Sequence, residues 1–314
     1  MWMPMKTDVL CIGVALVDSI IRGFDPEPVS ASGYRAKSGS LNVGGEAVNQ
    51  AVAAARLGMR AGILCFLGAD AAGDMVLAYL NRTGVNTDSV IRSEEHPTPV
   101  TTMFVREDGT RKSITNLAHR NNFHPEQYTS CFSGTRAVIL GSLFRAPFDD
   151  PGIILGVLRD ARKAGAVVFA DTKLPNFRVL GLDDLKEALP LIDYITPNED
   201  EARYYTGRED PQEMAEIFLE YGVRNVIIKL GGRGCYFWNA GTELRLPALP
   251  VHAVDSTGAG DCFIAGFASE ILRGSTHEEA LCFANACGAI CTTAVGAGTA
   301  LRNREQVLKR MNAT

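Results

Sequence analysis

Short apolar runs rich in valine, isoleucine and leucine recur along the chain, separated by stretches with helical periodicity. The runs show no alternation of polar and apolar positions, which is typical of strands buried on both faces. Strands are predicted at 9–14, 61–67, 137–140, 167–170, 194–196 and 226–230. Helices are predicted at 48–57, 75–82, 153–164, 212–221, 259–273, 276–294 and 304–311. This order predicts an α/β protein with a mostly parallel central sheet and helices on both faces.

Two stretches, 19–42 and 96–121, depart from this rhythm. Within the second, polar and apolar residues alternate at 101–105 and meet a turn at 107–109, which is typical of a β-hairpin. Both stretches begin near the carboxyl ends of early strands, where open α/β sheets bind their ligands. We therefore expect them to form together a small β lid over the site.

Composition narrows the class of protein. The chain has 314 residues, 46% of them apolar, and we expect one domain over 1–314 with a discontinuous lid. The formal net charge is −5 and the basic residues are scattered, which argues against a nucleic-acid partner. The amino terminus has no signal layout and the apolar stretch 9–17 is too short to span a bilayer, so we expect a cytoplasmic protein without a membrane partner.

The eight cysteines do not change this picture. None of them forms a C-x-x-C pair, and three lie in an alanine-rich helical stretch. We interpret them as small buried hydrophobic residues.

The segment 255–261 reads D-S-T-G-A-G-D and leads directly into a predicted helix. Small residues let main-chain N–H groups approach a ligand, and a helix amino terminus favours negative charge, so the segment suits a transferring phosphate. Asp261 lies in the first helical turn, where it can stay ionised and accept a proton from a positioned hydroxyl. A simpler interpretation is open: Thr257 caps the helix and Asp261 complements its dipole.

With these residues the chain resembles the ribokinase-like, or pfkB, carbohydrate kinases, and the resemblance extends over nearly the whole chain. It implies a three-layer α/β/α ribokinase-like fold with a mostly parallel sheet and a small β lid. It also implies that Gly258, Ala259 and Gly260 form an anion hole for the transferred phosphate. The resemblance further implies that Asp261 is the catalytic base.

A second segment, 44–51, reads G-G-E-A-V-N-Q-A and resembles the amino-terminal signature of the family. Bare backbone at Gly44 and Gly45 lets a polyol come close, and Asn49 offers a donor and an acceptor to hydroxyls. The resemblance implies that these residues and Asp18 bind the acceptor. Alternatively, the glycines only let a helix start against the sheet. Glu46 stands where ribokinase itself carries a lysine, which argues against ribose and puts a carboxylate at the edge of the sugar site.

Three further segments resemble nucleotide-side elements of the family. Asn198 and Glu201 match its N-x-x-E motif, which organises Mg²⁺ and phosphate, and Glu201 is expected to hold Mg²⁺ through water. The same spacing is a capping box, which needs no ligand. Lys229 and Gly231 resemble the loop along the ATP phosphates and ribose, and Asn285 resembles the residue beside adenine.

A monovalent cation site is also implied beside the anion hole, with Asp255 and Gly296 as the residues concerned. Ala300 stands where some relatives place a serine, so potassium dependence is left open. Lys173, at the end of a predicted strand, is either a phosphate contact or a surface charge.

The sequence therefore predicts an ATP-dependent kinase that phosphorylates a hydroxyl, typically primary, of a small sugar such as a ketose or pentose. Neither G-x-G-x-x-G nor G-x-x-x-x-G-K-[ST] occurs, which argues against a dinucleotide-binding dehydrogenase and a P-loop enzyme. Two alternatives stay open: a nucleoside kinase of the same family, and a catalytically silent sugar-binding regulator. Covering the exposed lid edges would favour a homodimer through the lid.

Overall fold

The computed structural model describes residues 7–23, 35–108, 110–116 and 123–312. Parts of the two predicted lid segments, 24–34, 109 and 117–121, lie outside the described residues.

The strands and helices follow the predicted alternation. In chain order the strands are β1 (Val9–Ile12), β2 (Leu16–Arg22), β3 (Ser38–Gly44), β4 (Ala61–Leu64), β5 (Phe66–Gly68), β6 (Ile91–Ser93), β7 (Val100–Val105), β8 (Arg111–Thr115), β9 (Ala137–Leu143), β10 (Val167–Thr172), β11 (Tyr194–Ile195), β12 (Asn225–Lys229), β13 (Cys235–Asn239) and β14 (Glu243–Leu246). The helices are α1 (Glu46–Arg56), α2 (Ala71–Arg82), α3 (Pro151–Lys163), α4 (Glu199–Thr206), α5 (Pro211–Glu220), α6 (Ala259–Arg273), α7 (His277–Cys291) and α8 (Arg304–Asn312). Short 3-10 turns span Pro125–Gln127, Thr129–Phe132, Asp183–Leu185, Leu189–Leu191 and Gly231–Arg233.

Eight strands form the central sheet in the order β14-β13-β12-β11-β10-β9-β1-β4. The neighbours from β4 to β12 are parallel, whereas β12, β13 and β14 pair antiparallel. The predicted mostly parallel sheet is confirmed, and the antiparallel edge is an addition. It arises because only a short 3-10 turn separates β12 from β13, so the chain has no length for a crossover helix.

Each face of the central sheet is covered by its own hydrophobic core. Val9 and Cys11 of β1 belong to a core with α1, α6 and α7, while Leu10 and Ile12 belong to a core with α3 and α5. Successive side chains of a strand point to opposite faces, so a strand buried on both sides must be apolar throughout. Burial of each large side chain contributes about 1.5–3 kcal/mol, which makes this two-sided core the main source of stability.

The two departing stretches pair in a second sheet of order β3-β2-β7-β8. β2 pairs antiparallel with β3 and parallel with β7, and β7 forms a hairpin with β8. The first of the two stretches is longer than the predicted 19–42. Its strands begin at Leu16, because β2 follows β1 after only three residues, and end at Gly44. That this sheet acts as a lid stays a prediction.

Several boundaries differ from the prediction for local reasons. Helix α2 begins at Ala71, before the predicted start, because Asp70 caps it by accepting from Gly73 N at 2.8 Å. The predicted strand 61–67 is two strands, since β5 leaves the central sheet and pairs with β6. Helix α4 was not predicted beyond its capping pair. Within the described residues, no helix combines the length and apolar character needed to cross a membrane.

Candidate active site

Gly258 is the central residue of the D-S-T-G-A-G-D segment and the N-cap of helix α6. Its φ of 78° lies in the left-handed region, and a Cβ there would be 2.7 Å from Ala297 Cβ and 2.8 Å from Ala297 Cα. A glycine is therefore required on both conformational and steric grounds. Within the described part of the chain, the N–H groups of Gly258, Gly260 and Asp261 have no protein acceptor. The helix start thus presents main-chain donors to a ligand.

Asp261 lies in the first turn of α6 and is 7% exposed. Its Oδ2 accepts from Asn49 Nδ2 at 2.9 Å, and its Oδ1 accepts from Gln50 Nε2 at 3.0 Å. Burial raises the pKa of Asp261 and the charge of Asp171 adds to this, while Lys173, Asn49 and Lys229 oppose it. The hydrogen bonds join the two glycine-containing segments, so both motifs belong to one site.

The glycine pair before α1 makes room for Asp18. Gly45 has a φ of 100°, and a Cβ there would be 2.3 Å from Val14 O. At Gly44 a Cβ would be 2.5 Å from Asp18 Oδ2. The Asp18 carboxyl therefore packs directly against bare backbone, and burial raises its pKa. That Asp18, the two glycines and Asn49 bind the acceptor stays a prediction.

Glu46, expected at the edge of the acceptor site, starts α1 with its carboxyl turned to the main chain. Its Oε1 accepts from Val14 N at 2.8 Å and would lie 2.8 Å from a Cβ at Gly13. Burial raises the pKa of Glu46. Its contact with an acceptor stays a prediction.

Two lysines and a buried aspartate lie beside the D-S-T-G-A-G-D segment. Lys229 Nζ donates to Asp171 Oδ1 at 2.5 Å and would be 3.1 Å from a Cβ at Gly260. Lys173 Nζ lies 3.8 Å from Asp171 Oδ2, and that carboxylate holds the Lys173 pKa well above its usual range. The sequence did not single out Asp171. Its signal was a carboxylate at the carboxyl end of a buried strand.

Asn198 and Glu201 form the capping box of α4 in full. Asn198 Oδ1 accepts from Glu201 N and Glu201 Oε2 accepts from Asn198 N, both at 2.9 Å. Glu201 also accepts from Thr172 Oγ1 at 2.8 Å and is 4% exposed. Burial raises its pKa, against the attraction of Lys229 and Lys173. The cap therefore holds a carboxylate among the charges of the site, and the two interpretations of this motif are compatible.

The donor set suits a hydrated divalent ion. Asp171 Oδ2 is buried and accepts no hydrogen bond from the described residues, although it lies in the same charged cluster as Glu201. Among those residues no group of three His, Cys, Asp or Glu side chains has the geometry for direct ligation. Mg²⁺ characteristically keeps waters and relies on one or two carboxylates plus phosphate oxygens, which fits this pair.

Asp255 links its own segment, 255–261, to the loop that follows α7. Its Oδ1 accepts from Thr257 N at 3.0 Å and from Thr257 Oγ1 at 2.7 Å, and its Oδ2 accepts from Gly296 N at 2.9 Å. Burial acts to raise the pKa of Asp255, but these donors and the charge of Arg111 on β8 outweigh it and lower the pKa. The monovalent cation site predicted here stays a prediction.

On the nucleotide side, Gly231 and Asn285 differ in accessibility. Gly231 has a φ of 58°, is exposed, and has no heavy atom within 4 Å of its Cβ position. Asn285 is 9% exposed, and its Nδ2 donates to Pro247 O at 3.2 Å and to Cys235 Sγ at 3.4 Å. Their predicted contacts with ATP are untested.

Comparison with known proteins matches residues 6–304 to the model of the pfkB family of carbohydrate kinases. The chain is 30% identical over 289 residues to 2-dehydro-3-deoxygluconokinase of Bacillus subtilis, covering 87% of this chain and 88% of the relative. The structure of Arabidopsis thaliana ribokinase complexed with ribose and ATP superposes with a TM-score of 0.85 at 27% identity, covering 98% of this chain and 99% of that one. An E. coli protein described as a ribokinase II, in complex with ATP and Mg²⁺, gives a TM-score of 0.80 at 25% identity, covering 98% and 100%.

Proposed function

This chain belongs to the pfkB family of carbohydrate kinases and is an ATP-dependent sugar kinase of ribokinase-like fold, and on that premise we propose how its residues perform the transfer. Asp261 is the catalytic base, and Gly258, Ala259 and Gly260 form the anion hole. The acceptor is a small sugar with a primary hydroxyl, such as a ketose or a pentose. ATP is the phosphate donor.

In the transfer, the acceptor hydroxyl oxygen bonds to the γ-phosphorus while its proton passes to an oxygen of Asp261. The bond between the γ-phosphorus and the oxygen bridging to the β-phosphate breaks, and ADP leaves with that electron pair. Phosphoryl transfer needs alignment and charge stabilisation more than covalent chemistry. A carboxylate that orients and then deprotonates the hydroxyl, facing a row of main-chain donors, is therefore sufficient.

One observation carries this assignment: Asn49 of the acceptor segment and Asp261 of the phosphate segment share a hydrogen bond of 2.9 Å across 212 residues of sequence. A residue expected to bind the acceptor thus touches the residue expected to take its proton. At the same end of α6, the N–H groups of Gly258, Gly260 and Asp261 have no acceptor among the described residues. A plain helix cap would explain the loop but not this meeting of two segments.

The donor side involves Lys229, Gly231, Asn198, Glu201 and Asn285. Lys229 lies beside Gly260, where its charge would stabilise the transferred phosphate. Asn198 and Glu201 would hold Mg²⁺ through water. The nearby Asp171 oxygen, buried and without a hydrogen bond from the described residues, supports this role. Bound Mg²⁺ would neutralise charge on the β- and γ-phosphates. Asp255 and Gly296 would border a potassium site.

The acceptor side involves Asp18, Gly44, Gly45, Asn49 and Glu46. Relatives named for ribose and for 2-dehydro-3-deoxygluconate mark two acceptor types within reach of this fold. Asp18 lies on β2 and packs against Gly44 at the end of β3, which supports a lid of β2, β3, β7 and β8 over the acceptor. A nucleoside acceptor would need a wider, more aromatic wall. The cytoplasmic location and the homodimer through the lid stay predictions.

A screen of ATP consumption by the purified protein tests the acceptor class. The acceptors are ketoses, aldopentoses, deoxy sugars, sugar acids and nucleosides, with phosphorus NMR of the product to identify the phosphorylated hydroxyl. We expect turnover on a free sugar with the phosphate on a primary hydroxyl. Turnover on a nucleoside alone would replace the sugar assignment with the nucleoside alternative.

A further inference from the structure

Gln50 is a buried polar side chain with no part in the transfer described above. It follows Asn49 on α1 and is 0% exposed, and its Nε2 donates to Asp261 Oδ1 at 3.0 Å. Asn49 donates to the other carboxylate oxygen at 2.9 Å. Two neighbouring amides on one helix therefore hold one oxygen each of the proposed base.

The amide oxygen of Gln50 lacks the partner that its burial calls for. It is buried and accepts no hydrogen bond from the described residues. With the nitrogen fixed on Asp261, the oxygen must point elsewhere, and it lies 3.2 Å from a Cβ position at Gly141 on β9. A buried carbonyl oxygen without a donor is costly, so this place favours a proton donor.

Glu46 reaches the same place from one helical turn earlier. Its Cγ would be 2.4 Å and its Cδ 3.4 Å from the Cβ position at Gly141. A carboxyl group can donate a hydrogen bond only in its neutral form. Burial is the largest influence on the Glu46 pKa and raises it, and the Asp261 charge adds to this, while hydrogen bonds from Val14 and Ser142 oppose it. The Glu46 carboxyl thus lies beside the Gln50 amide oxygen, in surroundings that raise its pKa.

We propose that Gln50 is a positioning residue that holds the Asp261 carboxylate in the orientation that accepts the proton of the acceptor, and that neutral Glu46 holds Gln50 by donating to its amide oxygen. This rests on the proposed role of Asp261 as the base. The amide stabilises the ionised form of a carboxylate that burial otherwise tends to neutralise. Gly141 leaves the space in which the two side chains meet.

Other titratable groups face Asp261 from the elements packed around it, and any pH effect must be read against them. They are Glu46 on α1, Cys11 on β1, Asp171 on β10, Lys173 following β10, Lys229 on β12, Cys262 on α6 and Cys291 on α7.

The Gln50→Met variant tests the positioning role, because it keeps the length of the side chain and removes the amide. We expect kcat to fall about 10- to 100-fold while the KM values for ATP and acceptor change less than about threefold. Loss of the N–H donor raises the pKa of Asp261, so the acid limb of the kcat profile moves up by about one pH unit. A variant with an unmoved limb and unchanged kcat would overturn the proposal.

Glu46 variants test its protonation independently of Gln50. Glu46→Gln keeps a side-chain donor toward Gln50 and should retain at least about threefold more kcat than Glu46→Ala, which removes it. Infrared difference spectra at neutral pH should show a protonated carboxyl band that Glu46→Gln removes. Equal losses in both variants, or no such band, would overturn the role of Glu46 even if Gln50→Met fails to fold.

Asp261→Asn separates the two levels of the account. If Asp261→Asn is inactive and Gln50→Met behaves as the unchanged protein, the positioning role fails and the base assignment stands. If Asp261→Asn retains full turnover, the proposed function itself fails.

Discussion

Single residues in this site act largely through the space they leave to their neighbours. Gly44 makes room for the Asp18 carboxyl, and Gly258 lets the loop after α7 pack against the D-S-T-G-A-G-D segment. At Gly258 a Cβ would be 2.8 Å from Ala297 Cα, which is backbone and cannot rotate away, whereas at Gly44 a Cβ would be 2.5 Å from Asp18 Oδ2 and would displace that carboxyl. The charged residues take their places because these glycines carry no side chain.

Gly258→Ala should lose both activity and stability. The left-handed φ costs an alanine about 1 kcal/mol, and the contact with Ala297 adds to this. Gly274→Ala, at the other end of α6, is the matched control: its φ is 88° and nothing lies within 4 Å of its Cβ position. Urea unfolding should show a larger loss for Gly258→Ala, and only that variant should lose kcat. Equal effects at both glycines would contradict the steric account.

Functional residues were predictable from the sequence where they lie in a recognisable motif. They were less predictable where only the folded chain brings them to the site. Asp261 and Asn49 are recognisable from their segments, but no spacing in sequence predicts that they share a hydrogen bond. Gln50 was hidden because it follows Asn49 and looks like an ordinary helix residue. Its role depends on α6 packing against α1, a contact between parts of the chain 211 residues apart.

At the scale of elements, charged side chains hold together the amino ends of strands in the central sheet, opposite the carboxyl ends at which the site lies. Asp8 precedes β1 and accepts from Arg60 N and Nε at 3.0 Å and from Arg60 Nη2 at 2.7 Å, which ties β1 to the start of β4. Arg136, just before β9, lies 3.7 Å from Asp8 as well. One carboxylate thus aligns the amino ends of three neighbouring strands.

Asp8→Asn should lower stability by about 1–2 kcal/mol at neutral pH. The Arg60 hydrogen bonds lower the pKa of Asp8 from 3.8 to about 2, a shift whose full value is reduced because Arg60 is exposed. Since the folded pKa is depressed, this stability is present above about pH 4 and is lost as pH falls toward 2. Urea unfolding at several pH values should show the difference from the unchanged protein shrinking over that window. A difference in stability that is independent of pH would contradict this role of Asp8. Asp74→Asn is the control, because Asp74 forms an exposed ion pair with Arg92.

Asn198→Ala separates helix capping from phosphate chemistry at α4. Loss of the cap should cost about 1 kcal/mol of stability and also lower kcat, because Glu201 loses its anchor. Thr276→Ala removes the same kind of capping box at α7 and should cost a similar amount with kcat unchanged. A titration with Mg²⁺ should show a raised requirement in Asn198→Ala only. An equal kcat in the two variants would mean that Asn198 and Glu201 serve only to cap α4.

Elements were predicted well where periodicity was sustained and poorly where pairing is non-local. The buried runs of β1, β9, β10 and β12 are apolar on both faces, so their identity follows from composition. The separation of β4 from β5 depends on where β6 lies, and the antiparallel edge depends on a short turn. Neither leaves a periodic signal in the chain.

At the scale of the whole molecule, the sheet of β3, β2, β7 and β8 carries two exposed apolar side chains on one face. Leu41 and Ile114 are 61% and 69% exposed. They lie in one cross-strand row through Ser19 and Thr102, and therefore on the same face. In the described part of the chain, β3 and β8 are the edge strands of this sheet, the positions at which a further strand can pair.

A second copy of the chain is the partner we expect on this face of the sheet. Ile114→Glu should shift the sedimentation equilibrium from dimer to monomer, since a charge on an apolar interface resists burial. Val179→Glu is the matched control, because Val179 is equally exposed, at 69%, and lies outside the lid. A monomeric unchanged protein, or equal behaviour of both variants, would contradict the dimer.

The central claim is that Asp261 accepts the proton in phosphoryl transfer at an anion hole that binds ATP independently of that charge. The decisive measurement is turnover and ATP affinity of Asp261→Asn on the best acceptor, with Glu278→Gln, an exposed acid in the first turn of α7, as the control. We expect kcat of Asp261→Asn to fall about 10³-fold or more with ATP affinity within about threefold, and no change in Glu278→Gln. Turnover near that of the unchanged protein in Asp261→Asn would contradict it.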